Sequence, residues 1–141
     1  MATAMFALTL LAMMKCGYEV EAQAWRQWLL RAVAGSPADL QIMYGIAGER
    51  RLDERELEWL PGFGGSIPVR VGNAASTQLQ LDVYGAVIDA LYLTRKMGAP
   101  ADDDAWSLTR LLLDWLETGW RREDAGIWEV RGPNRHFTHS K

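Results

Sequence analysis

The sequence predicts an all-α chain interrupted by one long loop that holds a short β-hairpin. Four segments repeat apolar residues at helical spacing, and each closes on glycine or a glycine–proline run. They fall into two pairs with short connections, so the helices of each pair are expected to be antiparallel neighbours. Between the pairs lie about forty residues rich in glycine and proline, and loops of that length are usually functional. Neither a repeat of solenoid type nor strand–helix alternation with a glycine-rich phosphate loop is found, which argues against nucleotide-binding folds.

The first helix is expected from about Thr3 to Lys15, apolar nearly all round and hence buried on most sides, with Gly17 as its stop. The second runs from about Glu19 to Ala34. Val20, Ala24, Trp28, Leu29, Leu30 and Val33 form its inner face, and Glu19, Glu21, Arg26 and Arg31 face water. In the loop, Leu40-Gln41-Ile42-Met43-Tyr44 alternates as a short strand does, and Pro68-Val69-Arg70-Val71 is its expected antiparallel partner. The third helix is expected from about Thr77 to Met97, with Leu81, Tyr84, Val87, Ile88 and Leu91 as its stripe and Gly98 and Pro100 ending it. The fourth opens near Asp102-Asp103-Asp104, acids suited to a helix N-terminus, and runs to about Gly119. Trp106, Leu108, Leu111, Leu112, Trp115 and Leu116 give it a broad apolar face. Such faces want partners on more than one side, as in a segment of a larger helical assembly.

Composition narrows the function classes. The 141 residues make about one ordinary domain, with 49% apolar and 23% charged residues and a net charge of −3. A nucleic-acid partner would need a basic face, and none is present. The mixed charges from Glu49 to Glu58 read as a solvated loop or helix surface. The single cysteine, Cys16, allows no internal disulfide and fits a reducing, cytoplasmic setting; a packed thiol is expected there rather than a nucleophile. Met1 to Met14 is mostly apolar, yet it has no preceding basic region and no cleavage site, and it is shorter than the roughly 20 residues a bilayer requires. It reads as a buried helix, and no membrane partner is expected. Six of the seven tryptophans are expected to fill the core and helix interfaces.

The densest chemistry lies in the last twenty residues. Gly126-Ile127-Trp128-Glu129-Val130-Arg131-Gly132 sets one carboxylate between a tryptophan and an arginine. A carboxyl beside an indole is desolvated and its pKa rises, which suits a general acid near neutral pH. The plainer interpretation is a Glu–Arg pair on a short extended surface segment. His136 and His139 are three apart, but a metal site needs further ligands, so no metal or other cofactor is expected. Ser140 beside His139 lacks an oxyanion-hole element and makes no triad.

That heptapeptide, taken with others in order, resembles bacterial family 15 glycoside hydrolases, glucoamylase-like and trehalase-like. The supporting runs are Gly17-Tyr18, Ala24-Trp25-Arg26, Trp28 to Gly35, Leu40 to Gly45, Leu60-Pro61-Gly62-Phe63, Pro68 to Ala75, Gln80 to Gly85 and His136 to Lys141. The resemblance implies that residues 1–141 are part of one catalytic domain, an (α/α)6 barrel, with about four of its twelve helices. It implies inverting hydrolysis of terminal α-glucosidic bonds in an α-glucoside or α-glucan, which needs one carboxyl as acid and another as base. By the resemblance Glu129 is the general acid and Trp128 packs on the sugar. Arg131, Tyr44, Arg70, Asn73, Gln80 and Asp82 are candidates to line the pocket. An Arg-Asp pair that holds the terminal glucose in relatives falls near Ala4 and Met5. The base is expected beyond Lys141, so the chain reads as a truncated piece, inactive alone. A non-catalytic helical remnant or interaction module is the alternative, with self-association through exposed apolar helix faces.

Overall fold

A computed structural model describes residues 2–130 and 132–141, except for the side chains of 2–4, 6 and 7. It is mostly helical, with helices α1 (Ala2–Lys15), α2 (Glu19–Val33), α3 (Asp82–Lys96) and α4 (Asp103–Gly119). A small antiparallel sheet pairs β1 (Arg55–Glu56) with β2 (Arg70–Val71). Short 3-10 turns stand at Pro37–Asp39, Phe63–Gly65, Ala74–Thr77 and Thr138–Ser140. No helix among the described residues is long and apolar enough to cross a membrane.

Both helix pairs turn on the same device. Gly17 takes a positive φ of 82°, so the Gly17 and Tyr18 amides can donate back to Met14 O (3.2 Å) and Met13 O (2.9 Å). Gly98 at φ 104° repeats this, with the Gly98 and Ala99 amides donating to Arg95 O and Thr94 O. This double bond back into the last turn is the Schellman cap, and only glycine reaches its left-handed conformation without a Cβ penalty. At the other end of the second connection Asp102 caps α4, its side chain accepting from the Asp104 and Ala105 amides.

The core forms where α2, α3 and α4 meet the middle loop. It holds Leu29, Val33, Ile42, Tyr44, Leu81, Val87, Leu108 and Leu112. Tyr84, fully buried, stacks on Trp115 with centroids 4.3 Å apart and planes 4° off parallel. Its hydroxyl donates to Pro37 O at 2.7 Å. A second cluster of Leu10, Ala22 and Ala90 joins α1 to α2 and α3.

Several expectations are corrected. The buried face of α2 is Ala22, Arg26, Leu29, Leu30, Ala32 and Val33, while Val20 is 80% exposed and Ala24 is exposed too. The helix is rotated because Arg26 finds Asp102, 76 residues away, a partner that periodicity cannot reveal. Among the described side chains of α1, Leu10 is buried while Met5 and Leu8 are exposed. Helix α4 likewise leaves Trp106, Leu111 and Leu113 exposed. Leu40–Tyr44 is not a strand. Leu40, Ile42, Met43 and Tyr44 are all buried as irregular chain, so the apparent alternation was core filling. The partner of Arg70–Val71 is instead Arg55–Glu56, from the mixed charge run, in register Arg55↔Val71 and Glu56↔Arg70. Helix α3 starts at Asp82 rather than Thr77, because residues 74–77 form a separate turn and residues 78–80 run irregularly. Cys16 is exposed, since it lies past the last turn of α1. Trp25, Trp28 and Trp115 pack partly buried on the two clusters, whereas Trp59, Trp106, Trp120 and Trp128 are exposed.

Candidate active site

The segment after α4 folds back on itself. Asp124 and Arg135 exchange both backbone hydrogen bonds, each 2.9 Å, and so close a loop whose far side carries Trp128 and Glu129. Gly126, at φ 68°, lies against the Phe137 ring; a Cβ there would come within 2.8 Å of it. The Glu129 amide donates to Gly126 O at 3.3 Å, closing a tight turn. Glu129 itself takes φ 52°, a left-handed conformation disfavoured for a residue with a side chain. Such strain persists only where surrounding structure holds it, and it gathers at functional sites. The segment is therefore a held turn and not an extended surface strand.

Two ties bind this loop to the run before α3. The Ala125 amide donates to Leu79 O at 2.9 Å, and Gln78 Nε2 donates to Val130 O at 3.3 Å. A third comes from Asp124, whose Oδ2 accepts the Leu81 amide at 3.0 Å. Residues on both sides of Glu129 are thereby joined to the run 78–81 that leads into α3. Gln80 is buried, and Asp82 is half-buried. Burial pushes the Asp82 carboxyl above the usual range; the nearby Asp124 adds to that, while His139 opposes it. One Asp82 oxygen, Oδ1, is buried without a hydrogen-bond partner.

The other predicted pocket residues have structural ties elsewhere. Tyr44 is buried, its hydroxyl accepting the Gln41 amide at 3.0 Å, and burial raises its pKa. Arg70 pairs with Glu56 at 2.8 Å and Glu54 at 3.7 Å across the small sheet. Asn73 Oδ1 caps the 74–77 turn by accepting the Ala75 amide. Arg131 lies outside the described residues. Met5 is exposed, and the Ala4 side chain lies outside the described set. Trp128 is 79% exposed, so its indole offers an open face, and Glu129 is half-buried.

The middle loop does form a hollow of about 410 Å³, lined by Gln41, Arg50, Thr77, Gln78 and Arg122 among others. Gln78 joins it to the Glu129 turn, but Glu129 and Trp128 do not line it. Gln41 spans its wall, donating to Arg50 O and Ser76 O. His136 lies 3.9 Å from Glu123 at the surface, and no group of three or more metal-ligating side chains occurs among the described residues. Sequence reasoning assigned no role to Asp124 or Gln78. The only hint was a charge in Asp124-Ala125-Gly126, directly before the tryptophan–glutamate pair.

The fold is that of a mostly helical segment with a held turn at Glu129. Comparison with known proteins supplies its lineage: the model of glycosyl hydrolases family 15 matches residues 6–141, and the chain belongs to that family. It is 43% identical over 107 residues to a trehalase of Mycolicibacterium smegmatis, covering 76% of this chain and 16% of that protein. It is 38% identical over 133 residues to Trehalase 1 of Sulfolobus acidocaldarius, covering 92% and 24%. A trehalase of Thermoplasma acidophilum is 30% identical over 130 residues, covering 92% and 22%. The chain thus spans less than a quarter of the length of these relatives. No solved structure matches it.

Proposed function

We propose that this chain supplies the acid side of an inverting hydrolysis of terminal α-glucosidic bonds, of glucoamylase or trehalase type, within a single (α/α)6 catalytic domain. Glu129 protonates the leaving oxygen, and the open face of Trp128 packs on the sugar. Gln80 and Asp82 approach from the neighbouring run. The observation that carries the reading is the strained turn at Glu129, held by its ties to residues 78–81. The relatives' name favours trehalose as substrate. Inverting chemistry also needs a base on the opposite face of the sugar, roughly 6.5–9.5 Å from the acid. On this reading that base comes from a part of the domain beyond these residues, so the 141-residue chain alone turns nothing over. Its single cysteine, exposed and free, accords with a cytoplasmic setting.

The test is a chimera in which this chain replaces the matching region of the Sulfolobus acidocaldarius trehalase. Trehalose hydrolysis is expected, and Glu129→Gln should slow it by roughly 10²–10⁴-fold, the usual contribution of a general acid. An unchanged rate would refute the assignment. Robust turnover by the isolated chain would refute its dependence on a missing base.

A second reading, a non-catalytic helical module, draws on the exposed Leu8, Trp106, Leu111 and Leu113. It expects self-association through those faces and no effect of Glu129→Gln. Light scattering that gives a clean monomer at all concentrations would count against it.

A further inference from the structure

The geometry points to Asp124 as the positioning residue of the candidate acid, an inference that rests on the reading of Glu129 above. Glu129 holds a left-handed φ of 52° that an unsupported glutamate would leave. Something rigid must hold the turn, and Asp124 stands at its base. Its backbone closes the loop by exchanging hydrogen bonds with Arg135. Its side chain is wholly buried, and Oδ2 accepts the Leu81 amide at 3.0 Å. Leu81 directly precedes α3, so this amide is one of those a helix start leaves without an internal acceptor. One carboxyl group therefore fixes the acid-bearing loop to the head of the helix that begins at Asp82. The spacing between Glu129 and the Gln80–Asp82 run is set through it. Gln78 assists, but it is only half-buried and its bond to Val130 O is longer, at 3.3 Å.

Stability alone does not account for the choice of residue. The second Asp124 oxygen, Oδ1, is buried without a hydrogen-bond partner. Burying a carboxyl with one oxygen unmatched opposes folding. A cap for α3 alone is served by a local acceptor just before the helix, whereas fixing the loop needs an acceptor that stands on the loop itself, 43 residues away.

The test uses isotope-labelled 141-residue chain in NMR, with no sugar. In the wild type the Leu81 and Ala125 amides should exchange as slowly as the core amides of α4 at Leu108 and Leu112. Asp124→Ala should speed the first pair by more than about tenfold while leaving the α4 pair protected, as local opening does. It should also move the Glu129 backbone shifts away from left-handed values. Asp124→Asn, which keeps an acceptor in place, should restore both. If the alanine variant fails to fold, wild-type exchange and the asparagine variant decide. Unprotected Leu81 and Ala125 amides in the wild type would overturn the inference. So would an asparagine variant that leaves the Glu129 shifts displaced, or a folded alanine variant that leaves them unchanged. None of these readouts needs turnover. A failure here leaves Glu129 as acid intact, and a failure of Glu129→Gln in the chimera leaves the positioning result standing.

Discussion

Arg26 Nη1 and Asp102 Oδ2 stand 2.7 Å apart, joining the middle of α2 to the start of α4 across 76 residues. The other Asp102 oxygen caps α4, so one carboxylate closes a helix end and neutralises a buried guanidinium at once. The Ala105 amide and then the Arg26 guanidinium hold its carboxyl below the usual range. Asp102→Ala should cost about 2–4 kcal/mol, the loss of a cap plus an unpaired buried cation. Urea unfolding measures it. Because the folded-state pKa is lowered, the stabilisation is complete above the ordinary Asp pKa of 3.8 and fades as pH falls below it. Asp102→Asn should flatten that part of the pH profile.

Asp82 has the opposite sign. Its folded pKa is raised by burial, so the protonated form is favoured in the fold and ionisation opposes folding. The penalty is absent below pH 3.8, grows above it and is complete once pH exceeds the folded value. Asp82→Asn should therefore raise the melting temperature at pH 7 and lose that advantage at pH 3. Calorimetry at the two pH values checks this, and an equal shift at both would contradict it.

Tyr84 bonds Pro37 O while stacking on Trp115. Tyr84→Phe leaves the stack and orphans a carbonyl, a loss of about 1–2 kcal/mol. Trp115→Ala removes the stacked ring and should cost about 3 kcal/mol or more. Denaturant titration of the two variants should rank them in that order.

Gly126 lies under Phe137 at φ 68°, where an added Cβ would come within 2.8 Å of the ring. Gly126→Ala should destabilise by about 1–3 kcal/mol through strain and clash. It should also disturb the amide resonances of residues 124–135 more than those of α1, as read by NMR.

Periodicity was sufficient to expose four helices, because their stripes at Leu108 and Leu112 or Val87 and Leu91 are local patterns. The glycine stops at Gly17 and Gly98 were equally legible, since a left-handed cap demands that residue. What stayed hidden depended on distant partners. Arg26 reads as a surface charge until Asp102 is beside it. The strand Arg55–Glu56 has no alternation to announce it, being exposed on both residues. In the site, the Gly126–Gly132 run marked Glu129, yet Asp124 carried no signal of its own, because its task is to accept an amide 43 residues upstream. Trp128 was expected beside the acid, and its indole stands exposed, its face open for whatever packs there.

The central claim is that Glu129 gives a proton to a departing sugar oxygen, and the leaving group tests it most directly. Trehalose needs that proton; α-glucosyl fluoride, whose fluoride departs as a stable anion, does not. In the chimera with the Sulfolobus acidocaldarius trehalase, Glu129→Gln should lose roughly 10²–10⁴-fold on trehalose and keep most of its rate on the fluoride. An equal loss on both substrates would show that Glu129 is not the acid.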